Sequence, residues 1–374
     1  MKFLINASNL RAGGGLQVAD SICRELYKFS QHEFVVVLSS FFYATKKALE
    51  GVPNVKVIEY NIQNTIPVLI LGRDRFLDDL IDNNEIQAVL TVFGPSRWNP
   101  RVPHLSGFAI SQILIPESPY FEVLGLKDTI KFKIYNSLLK IFFERSGKFF
   151  YTENPYISER LIKAFPNVSV YTVTNYYNQI FDLPEQWREY KLPPFRGTTL
   201  LTIATPYIHK NVTIAAETAR ILKRRHPDFM FRFAFSFEKK DYHVDISDIE
   251  DCFLFLGRVD IAECPSLYQQ CDIVFTPTLI ECFTAAYPEA MRMGKPILTT
   301  DLEFAHGLCG EAAEYYSPLD AKECADAIYK LATNSEMKEK LVRKGNAQLN
   351  NYDSYVKRAA KLICILENIT INEQ

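Results

Sequence analysis

Cys271-Asp272-Ile273-Val274-Phe275-Thr276-Pro277-Thr278 is a short apolar run that stops at a proline turn, and Glu281-Cys282-Phe283-Thr284-Ala285-Ala286-Tyr287-Pro288-Glu289-Ala290-Met291 follows it. A run this apolar suits a strand buried on both faces. Pro288 is tolerated only in the first turn of a helix, so the helix begins between Thr284 and Tyr287. A further apolar run occupies 297–300. Strand, loop, helix and strand in that order make one crossover unit of a parallel sheet.

The same alternation extends in both directions. Apolar, β-branched or aromatic runs lie at 3–7, 34–38, 55–60, 88–93, 104–110, 149–152 and 168–173, and then at 199–204, 230–235, 252–256, 272–275, 297–300 and 313–316. Segments of helical spacing separate them. This predicts an α/β protein with two doubly wound, Rossmann-like domains. A chain of 374 residues is also too long for one ordinary core. The break is expected in 183–197, which holds Pro184, Pro193, Pro194 and Gly197 and has no clear periodicity. The domains are then 1–190 and 195–350. A last helical pattern, 355–366, comes after the second sheet is complete.

A formal net charge of −2 gives no reason to expect nucleic acid as a partner. No apolar run approaches the ~18 residues of a membrane helix. Met1-Lys2-Phe3-Leu4-Ile5-Asn6 is too short an apolar stretch for a signal peptide. Eight cysteines include no CxxC pair, and they read as reduced, mostly buried thiols of a cytoplasmic protein.

Chemistry concentrates in the second half. The strand at 199–204 runs into Thr205-Pro206-Tyr207-Ile208-His209-Lys210-Asn211 and then a helix. Free N–H groups and the helix dipole make such a junction an anion site, with Lys210 as a cation at its mouth. A solvated lysine is an equally ordinary reading. Glu281 falls in the loop at the carboxyl edge of the sheet and Glu289 in the first turns of the next helix. Such a pair can grip two parts of one ligand, although alone it more often means two solvated side chains. Asp241, Asp245, Asp248, Glu250 and Asp251 read as a solvated loop, and no Asp-x-Asp motif follows a strand, so no metal is expected. Asp74, Asp78 and Asp79 read as the wet face of an amphipathic helix. The segment 127–148 has six Lys or Arg against two acids, a local charge of +4, interleaved with aromatic and aliphatic residues. It suits either an anionic membrane surface or a packed helix with wet lysines.

In order, Lys210-Asn211, Phe255-Leu256-Gly257-Arg258-Val259, the strand at 272–275, Glu281 and Glu289, Ala290-Met291, Gly294-Lys295-Pro296-Ile297, Gly310-Glu311-Ala312-Ala313 and Ser317-Pro318 resemble the GT-B retaining glycosyltransferases of family 4, whose signature is E-x7-E. The resemblance covers 195–350. In the first half, Gly13-Gly14-Gly15 is similar to the family's glycine loop and Asn175 to its asparagine at the domain exit.

The resemblance implies two domains facing across a cleft, with a C-terminal helix, 353–370, packed back on the first. It implies that a sugar moves from a UDP- or GDP-sugar to a glycan or lipid-linked acceptor. Transfer would proceed with retention and without a metal or other cofactor. The implied setting is bacterial surface polysaccharide assembly of the O-antigen or capsule type, cytoplasmic, with peripheral membrane contact through 127–148. Glu281 would contact the donor sugar, Glu289 the ribose, and the amides of Cys282, Phe283 and Thr284 the phosphates. Arg258 and Val259 would lie against the base, and Gly14, Gly15 and Asn175 would complete the binding set.

Three departures stand out. Thr205 replaces the arginine that the family has five residues before its lysine, and Glu281-Cys282-Phe283-Thr284 replaces Glu-Gly-Phe-Gly. No histidine follows the central strand of the first domain, where Ile110-Ser111-Gln112 stands, and His104 reads as structural. A non-hydrolysing nucleotide-sugar epimerase of the same fold and a non-catalytic GT-B binding protein stay open as readings.

Overall fold

A computed structural model describes residues 1–11 and 13–373. The chain forms two compact units. One comprises Met1–Pro116, Leu126–Asn178 and the chain from Asp353 on, and the other Glu117–Gly125 and Gln179–Tyr352.

Each unit is built on one parallel sheet. In the first, β1 (Lys2–Ala7), β2 (Glu33–Leu38), β3 (Val55–Glu59), β4 (Ala88–Thr91), β5 (His104–Gly107), β6 (Phe149–Thr152) and β7 (Ser169–Thr172) lie in the order β3-β2-β1-β4-β5-β6-β7. In the second, β8 (Thr198–Thr202), β9 (Phe231–Phe235), β10 (Phe253–Phe255), β11 (Ile273–Thr276), β12 (Ile297–Thr300) and β13 (Ala313–Tyr316) lie in the order β10-β9-β8-β11-β12-β13. The strand order reverses between β1 and β4, and again between β8 and β11. In doubly wound sheets ligands bind at the carboxyl ends of the strands at such a reversal. Each of the thirteen apolar runs overlaps a strand, and inner strands such as β1, β2 and β11 are buried along nearly their whole length.

In the first unit Phe3, Ile5, Val36 and Leu90 are fully buried and share a core with Leu362, Leu366 and Ile369 of the helix Tyr355–Asn372. Those three recur at helical spacing, and Ser354 caps the helix by accepting the Lys357 N–H at 3.4 Å. Gly107 sits where a Cβ would lie 2.0 Å from the Val92 carbonyl, so no larger residue fits there. In the second unit Leu200, Phe233, Phe275 and Leu298 pack with Ala219 and Leu222 of helix Ile214–Arg225 and Ile328 and Leu331 of helix Ala321–Thr333.

Two sequence readings are revised. The Pro-rich stretch 183–197 belongs wholly to the second unit, and the chain leaves the first at Asn178. Its polar groups find partners there: Arg188 N–H donates to Ala262 O at 2.8 Å, Tyr190 OH to Leu256 O at 3.0 Å, and Arg232 to Pro193 O at 2.8 Å. The aspartates near 74 are not all wet. Asp74 is buried, caps helix Arg75–Asn84 and accepts from Tyr60 OH at 2.8 Å. Asp78 is buried and accepts from Trp98 Nε1 at 3.1 Å. A buried donor needs an acceptor, which periodicity alone does not reveal.

Arg358 on the last helix is fully buried. It donates to Ser21 Oγ at 2.6 Å and to Asn175 Oδ1, and burial pushes the nearby Glu153 carboxyl up to about 7, against the pull of the Arg358 charge. Removing one member of such a buried set leaves the others unpaired. Arg358→Ala should therefore cost roughly 3–5 kcal/mol, seen as a lower urea midpoint for the first unit. An unchanged midpoint would show that the set contributes nothing.

Candidate active site

β8 runs out through residues 203–207 into a single 3-10 turn, Ile208–Lys210, which Asn211 closes with φ 48°. The following helix starts only at Ile214. Lys210 thus stands four residues ahead of the helix, not at its first N–H groups as the sequence suggests, because the left-handed Asn211 interrupts the helical path.

The loop after β11 is tied to this turn. Leu279 N–H donates to the His209 carbonyl at 2.8 Å, and Thr278 Oγ1 lies 3.1 Å from the same oxygen. Thr300 Oγ1 in turn donates to Thr278 O at 2.6 Å. Glu281 is thereby brought onto Lys210. Its Oε1 accepts from Lys210 Nζ, lies 2.9 Å from Thr278 Oγ1, and is 3.8 Å from His209 Nε2. All three contacts go to Oε1, so Oε2 keeps acceptor capacity. The pair is largely withdrawn from water, with side-chain exposures of 20% and 11%. Water therefore screens it far less than a surface pair.

His209 stacks on Tyr207 at 5.7 Å, and burial lowers its basicity while the Glu281 charge opposes that. Tyr120 meets it edge-on at 6.3 Å. Tyr120 belongs to the excursion Glu117–Gly125, which Ser118 fastens by donating to Leu279 O at 2.8 Å. A segment from the first third of the chain thus lines this site.

Glu289 lies in the first turn of helix Ala286–Arg292, within the range expected from Pro288. It is only 7% exposed, and its Oε2 accepts from Tyr268 OH at 2.8 Å. Burial pushes its carboxyl up to about 7, and the Tyr268 hydrogen bond works the other way. The two glutamates are therefore not a solvated pair: one faces a cation and the other a neutral phenol. Between them, Cys282 and Thr284 are buried, and the Phe283 ring meets Tyr352 edge-on at 6.1 Å.

The remaining expected site residues lie elsewhere. Arg258 is exposed and Val259 half-buried in the loop after edge strand β10, two strands from β8. Among the described residues Arg258 makes no ion pair with Glu281. Gly13 starts helix Gly14–Cys23 with φ 74°, a Cβ on Gly14 would meet nothing within 4 Å, and one on Gly15 would touch Leu10 and Phe93. Asn175 is buried against Arg358 and the Tyr176 N–H. His104 donates from Nδ1 to Ser146 O at 2.6 Å and contacts Thr91 Oγ1 at 2.8 Å. Burial drops it to about 4, so it is a neutral core residue. The acidic loop pairs outward: Asp248 with Arg220, Asp251 with Lys223 and Glu250 with Lys239.

Thr278, His209 and Tyr268 hold the two glutamates, and sequence reasoning gave them no role. Thr278, three residues before Glu281, and His209, beside Lys210, were visible as neighbours. Tyr268, on helix Cys264–Gln270, gave no signal.

Residues 197–334 match the family model described as Glycosyl transferases group 1. Among curated protein sequences none matches the chain. Similar solved structures include a glycosyltransferase from Rickettsia africae ESF-5, with a TM-score of 0.69 at 15% identity, covering 98% of both chains. A sucrose-phosphate synthase from Thermosynechococcus elongatus gives 0.72 at 12%, covering 99% of both. Anabaena HepE, solved in complex with UDP-glucose, gives 0.65 at 15%, covering 98% of this chain and 100% of its own. At these identities the likeness shows the fold, which is GT-B.

Because folded Glu289 holds its proton more tightly than the unfolded chain does, its contribution is present below about 4.5 and is lost as pH rises to about 7. Glu153 acts in the same window. Wild-type stability should fall across that range, and Glu289→Gln should flatten the fall by up to roughly 3 kcal/mol. Urea midpoints against pH measure it, and identical slopes would mean that Glu289 is not held protonated.

Proposed function

We propose that the protein is a retaining glycosyltransferase that moves a sugar from a UDP- or GDP-sugar to a glycan or lipid-linked acceptor, without a metal. The observation that carries this reading is the Lys210–Glu281 pair at the strand-order reversal of the unit that matches the glycosyl transferase model. Similarity to proteins such as HepE, which was solved with UDP-glucose, favours a nucleotide-sugar donor. The proposed setting is surface polysaccharide assembly of the O-antigen or capsule type, on the cytoplasmic side, with membrane contact through 127–148.

The chemistry follows from what each group can do. As the glycosidic bond breaks, negative charge grows on the departing phosphate. Lys210 is a fixed cation with three N–H donors. Glu281 takes one, which orients the ammonium and leaves two for phosphate oxygens. Oε2 of Glu281 accepts from a hydroxyl of the donor sugar. Glu289, whose carboxyl burial raises to about 7, holds a proton in a large part of the population near neutrality and can then donate to a ribose hydroxyl as well as accept from one. The loop 282–284 follows Glu281 toward the phosphates, and Arg258 and Val259 border the base. Gly14, Gly15 and Asn175 belong to the first unit's share of the machinery. With Thr205 where an arginine is the family habit, Lys210 carries more of the leaving-group stabilisation. An electrostatic group aimed at developing charge acts mainly on the transition state.

Lys210→Ala should lose roughly 10²–10³ in turnover, with a smaller loss of donor affinity. Lys210→Arg should recover part of it, limited by the planar head of guanidinium. Calorimetry with UDP and GDP, with and without EDTA, comes first, and binding abolished by chelation would overturn the metal-free mechanism. Turnover of Lys210→Ala close to wild type would place the phosphate elsewhere. Isomerised donor appearing without an acceptor would mark an epimerase instead.

A further inference from the structure

The helix Leu126–Arg145 is apolar on two opposite sides. One side packs inward: Leu139 and Phe143 are buried, Phe143 meets Phe108 at 4.5 Å, and Asn136 donates to Gln112 O at 3.1 Å. On a helix turning about 100° per residue, Ile130, Ile134, Leu138 and Ile141 share a stripe on the other side. All four are 50–61% exposed. Nothing in the periodicity separates the inner face from the outer one.

A second apolar element lies beside the end of this helix. The turn Pro67–Leu71 and the residue before it present Ile66, Ile70 and Leu71, which are 66–72% exposed. The helix holds this turn. Arg145 donates to Leu69 O at 2.9 Å, and Arg97 donates to Asn64 Oδ1 at 2.6 Å while lying 5.2 Å over the Phe142 ring. Two apolar segments, 60 residues apart in sequence, are thus joined by arginines that leave their aliphatic side chains in water. Isolated exposed aliphatics are ordinary, but grouped ones mark an interaction surface.

Charge identifies the partner. Lys131 and Lys133 flank the stripe on either side and Lys127 stands at its head. All three are exposed, and among the described residues none forms an ion pair. The exposed Lys223, Lys239 and Lys330, by contrast, each pair with a carboxylate. The segment carries +4 in a chain of net charge −2. A second copy docking on this face would bring like charges together. An anionic lipid surface accepts both the lysines and the aliphatic side chains. No helix of the described residues is long and apolar enough to cross a membrane.

Resting on the membrane contact proposed above for 127–148, we propose that the Ile130–Ile141 stripe and the Ile66–Leu71 turn form one membrane-docking face, with the turn inserting between headgroups and the flanking lysines binding anionic lipid. It differs from a purely electrostatic contact of a basic helix in requiring the turn. The test is co-sedimentation of the full chain with vesicles of phosphatidylglycerol and phosphatidylcholine, and with phosphatidylcholine alone. Wild type should bind the mixed vesicles at least tenfold more tightly than the neutral ones. Ile70→Asp and Ile134→Asp should each weaken binding at least tenfold, and Lys131→Gln with Lys133→Gln should remove the preference for anionic lipid. Unchanged thermal unfolding would show that these exposed variants fold. Wild type failing to sediment at low salt, equal binding to neutral vesicles, or Ile70→Asp binding like wild type would each overturn the proposal. So would a dimer in sedimentation equilibrium that the same two aspartates dissociate.

Discussion

The carbonyl of His209 is the point on which the site depends. It is the last acceptor before Lys210, and it takes the N–H of Leu279 from the loop that carries Glu281. Neither loop has a regular partner, since each has just left its strand. Without this bond Lys210 and Glu281 would be two flexible side chains on separate loops, and their pairing would carry the full entropic cost of a surface salt bridge. With it, the charges meet in partly dry surroundings. The parallel sheet supplies the rest of the constraint: adjacent strands β8 and β11 bring their carboxyl ends together, and only there does the topology leave both following loops unobstructed by a crossover between them.

Electrostatic contrast divides the site into two parts. Glu281 faces Lys210 and His209, whereas Glu289, eight positions later, is sealed against Tyr268. The separation follows from secondary structure. Glu281 sits in the loop, where polar neighbours gather. Glu289 is in a short helix that packs its inner side against the sheet, where burial favours the neutral acid. One carboxylate is therefore suited to charge complementarity and the other to neutral hydrogen bonding.

The two units also differ in what their buried polar groups do. In the second unit Thr278 and Thr300 join the loops at the carboxyl ends of β11 and β12 beside Glu281. In the first, the most buried set, Arg358 with Asn175, Ser21 and Glu153, fastens the last helix to the sheet it covers. Asn175 serves as one acceptor of this set, because a fully buried guanidinium must be given acceptors.

Sequence by itself determined the two doubly wound sheets, since strands covered on both faces read as largely apolar runs, and thirteen apolar, β-branched or aromatic runs alternate with helical spacing along the chain. It also determined that Lys210, Glu281 and Glu289 would sit at the carboxyl side of the second sheet, because proline and loop residues fix where strands stop and helices start. Tertiary structure alone decided which partners those residues have. Thr278 and Tyr268 are ordinary residues until the fold puts them within hydrogen-bond reach. The stretch 183–197 reads as a linker by its prolines, yet its backbone groups are claimed by the second unit. The stripe at 130–141 has the spacing of a core face, and its outward direction follows from Leu139 and Phe143 having taken the inner side. Periodicity records that a face is apolar, whereas which face is buried depends on contacts distant in the chain.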